Sequence, residues 1–303
     1  MRFFVMGGTG FVGTALLCHL VQAGHEVAAL VRSAAGEKTL PPGVAAVAGN
    51  PLEPGGWQEP AAAADVLVNL VGRPIFARWT PTVRREILET RVRSTRMAVA
   101  ALARRAPGAG GTLINANAVG WYRGGSDEIL AEDAPPGDGF LAEVARSWQA
   151  EAEKARDHGT RVVVTRFGTV LGPGGGALDR LLPPFRFGLG GRLGSGRQWF
   201  SWIHVADLAR AVTFLAERKD LEGPVNLAAP NPVRNAEFTR ALARVLHRPA
   251  LLPVPAPLLR LLLGEVAEVI LRGERVVPKR LLEAGFEFRF PTVEAALRDI
   301  LGG

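Results

Sequence analysis

Three glycines spaced Gly7-x-x-Gly10-x-x-Gly13 follow the apolar run Phe3-Phe4-Val5-Met6 and precede the helical pattern Ala15-Leu16-Leu17-Cys18-His19-Leu20-Val21. A strand, a glycine turn and a helix in that order make a backbone cradle for a dinucleotide pyrophosphate. Gly7 permits the tight turn, Gly10 lets the backbone come against the phosphates, and Gly13 lets the helix lie close on the strand. The intervening Thr9, Phe11 and Val12 belong to the same cradle, whose free N–H groups and positive helix end attract the anion. A glycine pattern by itself is a weak signal in a chain with 36 glycines. Its position immediately after a strand is what gives it weight.

The second chemical feature stands at the end of the next strand, Glu26-Val27-Ala28-Ala29-Leu30-Val31. About 20 residues past the glycines such a unit places an acid that accepts hydrogen bonds from the adenosine ribose, whereas an arginine there accommodates a 2′-phosphate. Here the strand ends in Arg32-Ser33, a guanidinium and a hydroxyl with no acid. The expected cofactor is therefore NADP rather than NAD.

These residues need a scaffold, and the rest of the chain reads as one. Past Arg32, strands and helices alternate, which predicts a doubly wound, Rossmann-type α/β fold: a parallel sheet covered on both faces. Strands are expected at 44–48, 65–72, 112–119 and 161–167, with helices at 57–64, about 82–105 (stopping at Pro107-Gly108) and about 140–156. After Phe167 the composition shifts to glycine-rich loops, Gly172-Pro173-Gly174-Gly175-Gly176 and the stretch 188–196, around an apolar helix at 178–187. Loops of this kind can close over a ligand at the carboxyl ends of the strands. The chain is then expected to rejoin the sheet through Phe200-Ser201-Trp202-Ile203-His204. The resulting division is a dinucleotide-binding domain, 1–167 with a return segment about 200–229, and a smaller, mainly helical substrate-binding part, 168–199 and 230–303.

With 303 residues and 48% hydrophobic content the chain can bury a large core. A single cysteine, Cys18, excludes a disulfide framework, and its place in the first helix suggests packing on the sheet. The net charge is +7, yet lysine occurs only at Lys38, Lys154, Lys219 and Lys279, and no basic run exceeds two residues. Arginines scattered among acids and apolar residues read as an ion-pair surface and not as a nucleic-acid interface. The apolar stretch 251–271 is interrupted by prolines and charges and does not read as a membrane span. With a strand already starting at Arg2, the expectation is a soluble, cytoplasmic protein. Five histidines, at 19, 25, 158, 204 and 247, show no metal-ligand spacing.

Four stretches together carry a resemblance: 7–13, Asn69-Leu70-Val71-Gly72, Arg166-Phe167-Gly168-Thr169-Val170-Leu171-Gly172 and Ser201-Trp202-Ile203-His204-Val205-Ala206-Asp207. They resemble the short-chain dehydrogenase/reductase superfamily in its extended, epimerase/dehydratase-like form. Pro74-Ile75, Arg78-Trp79, Asn226-Leu227-Ala228-Ala229-Pro230-Asn231-Pro232 and Gly285-Phe286-Glu287-Phe288 are similar to the epimerase-family group typified by SDR39U1, over essentially the whole chain. The resemblance implies an NADP(H)-dependent oxidoreductase acting on a carbonyl or alcohol of small-molecule size, and it adds Asn69, Val71 and Gly72 to the cofactor contacts. It says nothing of oligomeric state.

The superfamily's usual catalyst is a Ser or Thr, a Tyr, and a Lys four residues after the Tyr that lowers the phenol's pKa. This sequence departs from it. Its only tyrosine is Tyr122, with Ser126 four residues on, while Phe140 and Val144 hold the plausible spacing in the helix. Lys154 lies ten residues beyond Val144, roughly 15 Å along a helix. Where relatives carry Ser at the end of the fifth strand, Asn117 aligns; it can bind a substrate oxygen but is no ordinary general acid. The candidate catalytic residues are thus Tyr122 and Asn117, with the loop acids Glu132 and Asp133 as other proton sources. A non-catalytic, NADP(H)-binding redox sensor or scaffold is the competing reading. His204 and Asp207 lie in a segment that is structural in relatives. Trp148 reads as a core anchor, and Trp79, Trp199 and Trp202 as possible walls of an apolar pocket.

Overall fold

The computed structural model describes residues 1–106 and 108–302. Seven parallel strands form the central sheet: β1 (Arg2–Met6), β2 (Glu26–Val31), β3 (Val44–Ala48), β4 (Val66–Asn69), β5 (Thr112–Ala118), β6 (Arg161–Phe167) and β7 (Gly223–Leu227). Their order is β7-β6-β5-β4-β1-β2-β3. β1 thus lies between β2 and β4, with Met6 level with Leu30 on one side and Asn69 on the other. The winding reverses at that point, and the crevice outside the strand ends there is where such sheets take ligands.

Apart from the edge strand β3, whose Ala45, Ala46 and Ala48 are exposed, both faces are buried, which is why β1, β2 and β4 read as apolar runs and do not alternate. Phe3 and Val5 point to one face, where Leu16, Leu17 and Leu20 of the Phe11–Gln22 helix meet Leu208, Val212 and Leu215 of the Val205–Glu217 helix. Phe4 and Met6 point to the other and pack on Trp57, Ala98, Leu102 and Ala152. Cys18 lies beside the buried stripe of its helix and is only half-buried, so the sheet contact falls to the leucines.

The long helix spans Pro81–Leu102, with Thr80 as N-cap accepting from the Val83 N–H and proline in its first turn. Of the expected stop at Pro107-Gly108, Pro107 lies outside the described residues. The seventh sheet strand is Gly223–Leu227 and not the stretch beginning at Phe200. Trp202–His204 pairs instead with Thr169–Leu171 in a separate two-stranded ribbon. Ser201 explains the diversion: its hydroxyl donates to the Glu274 carbonyl and accepts from the Val276 N–H, tying this segment to the C-terminal part. A third cluster, with Leu178, Leu182, Phe185, Trp202, Phe238, Leu242 and Leu297, forms the core of that part. Among the described residues no helix is long and apolar enough to cross a membrane.

Candidate functional site

The three glycines do different things. Gly7 has φ +83°, and a Cβ there would sit 3.0 Å from the Leu70 carbonyl carbon, so the turn lies flush on the chain leaving β4. At Gly13 a Cβ would come within 2.3 Å of the Gly7 carbonyl oxygen, which is why the helix can approach the strand at all. Gly10 is unlike both. Its φ is an ordinary −83°, and its Cβ position meets only the Gly7 oxygen, at 3.4 Å. The space in front of it is therefore open. The first helical bond runs from the Thr14 N–H to the Gly10 carbonyl, leaving the N–H groups of Phe11, Val12 and Gly13 ahead of it. Open space bounded by helix-end donors fits a pyrophosphate. The glycine loop at 172–176 packs on Phe11 at this same helix end, where a Cβ on Gly175 would lie 2.3 Å from the ring.

Arg32 and Ser33 are exposed at the end of β2. The Ser33 Oγ accepts from the Gly36 N–H at 3.3 Å, and the Gly36 Cβ position lies 3.7 Å from the Thr9 methyl. The Arg32-Ser33 turn therefore stands beside the cradle, with a guanidinium and a hydroxyl where a ribose 2′-substituent would be met.

Asn69, at the end of β4, is fully buried and its side chain is committed: Nδ2 donates to Thr95 Oγ1 and Asn115 Oδ1, and Oδ1 accepts from the Val71 N–H. It shapes the turn that carries half-buried Val71 and exposed Gly72 past the cradle. The Trp148 indole N–H joins the network at Thr95 Oγ1 and anchors its helix as expected.

Tyr122 and Asn117 are not brought together. Tyr122 is 3% exposed, packed among Leu130, Ala228 and Val276, with its hydroxyl accepting from Arg166 and donating to Asn226 Oδ1 at 2.7 Å. Burial raises the phenol's pKa, and the neighbouring Arg166 offsets this only in part. Asn117 is 2% exposed; its amide donates to the Ala145 carbonyl and its oxygen accepts from the Ala118 N–H. Tyr122 ties the loop that follows β5 to β6 and β7, and Asn117 ties the end of β5 to the Phe140–Glu153 helix. Glu132 is committed as well: it accepts from the N–H groups of Asn226 and Arg280, while burial pushes its carboxyl upward in pKa. Asp133 lies 3.9 Å from Lys279 at the surface.

Two groups escaped the sequence reading. Glu274 follows Gly273 on the chain leaving the Val266–Arg272 helix, and one of its carboxyl oxygens lies 3.1 Å from the Cβ position of Gly124 in the loop after Tyr122. Burial pushes that carboxyl up to about 8. Nothing in the sequence around Glu274 announces it. Arg91 was legible in principle, because it interrupts the buried stripe Ile87, Thr95, Ala98, Leu102 at helical spacing. Its guanidinium carbon lies 3.0 Å from the Cβ position of Gly72.

The other candidates are structural. His204 Nδ1 accepts from the Ala206 N–H as a helix cap, and the buried Asp207 carboxylate accepts from the Arg289 and Phe290 N–H groups. Trp202 is fully buried in the C-terminal core, where its indole N–H donates to the Asn231 carbonyl. Trp199 is stacked between Arg234 and Arg275. Trp79 packs edge-on against Phe140, 5.0 Å between centroids, with Arg84 also over that ring. Phe140 is thus half-buried between an indole and a guanidinium.

Known proteins bear on this geometry. Residues 3–228 match the NAD dependent epimerase/dehydratase family, and residues 254–300 match a domain of unknown function. The chain is 40% identical to the chloroplastic epimerase family protein SDR39U1 homolog of Arabidopsis thaliana over 99% of this chain and 87% of that protein. It is 37% identical to the epimerase family protein YfhF of Bacillus subtilis, over 99% and 98% of the two chains. Among solved structures, human epimerase family protein SDR39U1 (isoform 2) with NADPH superposes with a TM-score of 0.87 at 36% identity, covering 100% of both chains.

Proposed function

Since the chain belongs to the NAD-dependent epimerase/dehydratase family, we propose that it is an NADP(H)-dependent oxidoreductase that moves hydride between the cofactor and a small carbonyl or alcohol. The observation that carries this reading is the open face of Gly10 between helix-end N–H donors, next to a strand end that offers Arg32 and Ser33 and no acid. In this reading Gly7, Thr9, Gly10, Phe11, Val12 and Gly13 hold the pyrophosphate. Arg32 and Ser33 take the 2′-phosphate, and the turn at Asn69, Val71 and Gly72 forms the wall beside it. The NADPH-bound human relative supports the choice of cofactor. Bound nicotinamide supplies or accepts the hydride. Residues 1–167 with about 200–229 act as the cofactor half, and 168–199 with 230–303 as the substrate half.

The proton must come from the chain or from water. Tyr122 already donates to Asn226, and its raised pKa opposes ionisation. Glu274 holds a proton near neutral pH for the reason that an acid catalyst does: burial disfavours its charge. The only tyrosine, Tyr122, has Ser126 and no lysine four residues on, so without a Tyr–Lys pair turnover is expected to be slow or narrow.

A second reading, a non-catalytic NADP(H)-binding sensor or scaffold, is favoured by one observation: the Tyr122, Asn117 and Glu132 side chains are all engaged internally. Purified protein titrated with NADPH and NADH, then assayed for NADPH oxidation across a carbonyl library, separates the two. Tight NADPH binding with turnover supports the enzyme. Tight binding without turnover of any carbonyl supports the sensor, and equal affinity for both nucleotides refutes the argument from Arg32.

A further inference from the structure

Two segments of the C-terminal part contain no acid. Residues 180–206 and 238–264 carry four arginines each and neither aspartate nor glutamate. The fold lays them side by side: the Leu252 N–H donates to the Gly190 carbonyl, the Val254 N–H to the Arg192 carbonyl, and the Gly194 N–H to the Val254 carbonyl. The surface they share is also apolar. Of the eleven large apolar side chains exposed among the described residues, seven belong to these two segments, led by Phe187 at 81%, Leu251 at 80% and Leu261 at 78%. The Ala256–Leu263 helix turns its apolar face outward: Leu258, Leu261 and Leu262 recur at the spacing of one face and are exposed, while only Leu259 is buried.

Single exposed leucines need no explanation, but a clustered set marks a contact surface. The surrounding charge says what covers it. Arg186 and Arg248, next to Phe187 and near Leu251, are exposed, as is Arg192, and none of the three joins an ion pair among the described residues. The acids at the margin are already engaged, Glu265 by Arg84, Glu268 by Arg260 and Arg272, and Glu294 by Arg244 and Arg298. Beside Leu251 a groove between the Asn235–Leu246 and Val293–Leu301 helices is lined by Arg240, Arg244 and Arg248, at four-residue steps. A second copy of this face would bring like charges together. Apolar tips projecting from a loop, a proline-rich stretch and a helix share no groove, and acyl chains receive such tips without a matching shape. We propose that this face is a peripheral docking surface for an anionic lipid bilayer, with the leucines and Phe187 entering the headgroup–acyl boundary and the arginines meeting lipid phosphates. The helix, at eight residues, is too short to span and lies in the plane of the interface. The inference is independent of the NADP(H) reading.

The test is flotation of the full chain with vesicles of phosphatidylcholine alone and of phosphatidylcholine with about one third phosphatidylglycerol. The unaltered chain is expected to float with the anionic vesicles only, and to be released as salt is raised. Leu261→Ser combined with Leu262→Ser should weaken partitioning about tenfold or more. Arg186→Gln and Arg248→Gln should each weaken it about fivefold. These surface changes should leave melting temperature and NADPH affinity as they were. Phe187→Ser, at a separate tip, serves the same comparison if the leucine variant does not fold. Equal flotation with both vesicle types overturns the proposal, because the arginines then select nothing. Anionic binding that survives every variant also overturns it and places the contact elsewhere. So does an unaltered chain that floats with neither: a dimer dissolved by the leucine variant would then give the face to a second copy, and a monomer would leave it to an acidic protein surface.

Discussion

The two ends of the cleft are built from different materials. At the β1 end the working groups are backbone: N–H donors ahead of the Phe11–Gln22 helix and the open face of Gly10, held by close approaches at Gly7 and Gly13. At the β5 end the polar groups are side chains: Tyr122 and Glu132 fasten one loop to β6, β7 and the C-terminal part, and Asn117 fastens β5 to the Phe140–Glu153 helix. Donors made of backbone are left over at a helix end by geometry, so they can serve a ligand without weakening the fold. A buried side chain that serves a ligand must first give up a partner. The β1 end is therefore preformed, whereas at the β5 end a ligand that recruits Tyr122, Asn117 or Glu132 must displace one of these internal bonds.

The largest expected effect distinguishes roles within the cradle. Gly13→Val forces a branched side chain into the Gly7 carbonyl and should cost about 3 kcal/mol or more of stability, together with all NADPH binding. Gly10→Val points its side chain into open space, so thermal melting should be nearly unchanged while NADPH affinity drops about 100-fold or more, a difference of about 2.7 kcal/mol. If the two variants melted alike, the separation of structural from ligand-facing glycine would be lost.

Tyr122→Phe probes the opposite end. It leaves Arg166 and Asn226 short of a partner, and denaturant unfolding should show a loss of about 1–3 kcal/mol. Hydride transfer, where measurable, should change less than tenfold. A drop of about 100-fold at unaltered stability would return the phenol to general acid catalysis and erase the contrast between the ends.

Arg32→Asp sharpens the cofactor end. An acid at the β2 terminus repels a 2′-phosphate and accepts from a 2′-hydroxyl; the ratio of NADPH to NADH affinity should fall by at least about tenfold, or 1.4 kcal/mol. Ratios that stay constant would place 2′-phosphate recognition elsewhere.

A pH dependence tests the buried carboxyl near the β5 end. The folded Glu274 carboxyl titrates at about 8, above its ordinary 4.5, so folding favours its neutral form. That contribution is fully present below pH 4.5 and is lost progressively as pH rises toward 8. Melting temperature should therefore decline across that window, and Glu274→Gln should flatten the decline. Parallel profiles for the two proteins would show that Glu274 ionises freely.

Local pattern carried much of this molecule. The strand–glycine–helix order, the acid-free end of β2, the alternation that makes a parallel sheet, and β6 at Arg161–Phe167 to the residue could all be read from neighbours a few positions apart. Relations of that range are set by covalent geometry and by burial on both faces of a strand. Tertiary structure decided the rest. Phe200–His204 reads like a sheet strand, but Ser201 binds a segment some seventy residues later, and Gly223–Leu227 takes the place beside β6. Tyr122 looks available as the only tyrosine, yet its hydroxyl is claimed by Asn226, 104 residues away. Whether a polar side chain is free for chemistry depends on which distant partners reach it once the chain has closed. The backbone cradle depends on no such partner, which is the physical reason that its strand–glycine–helix order could be read from neighbouring residues.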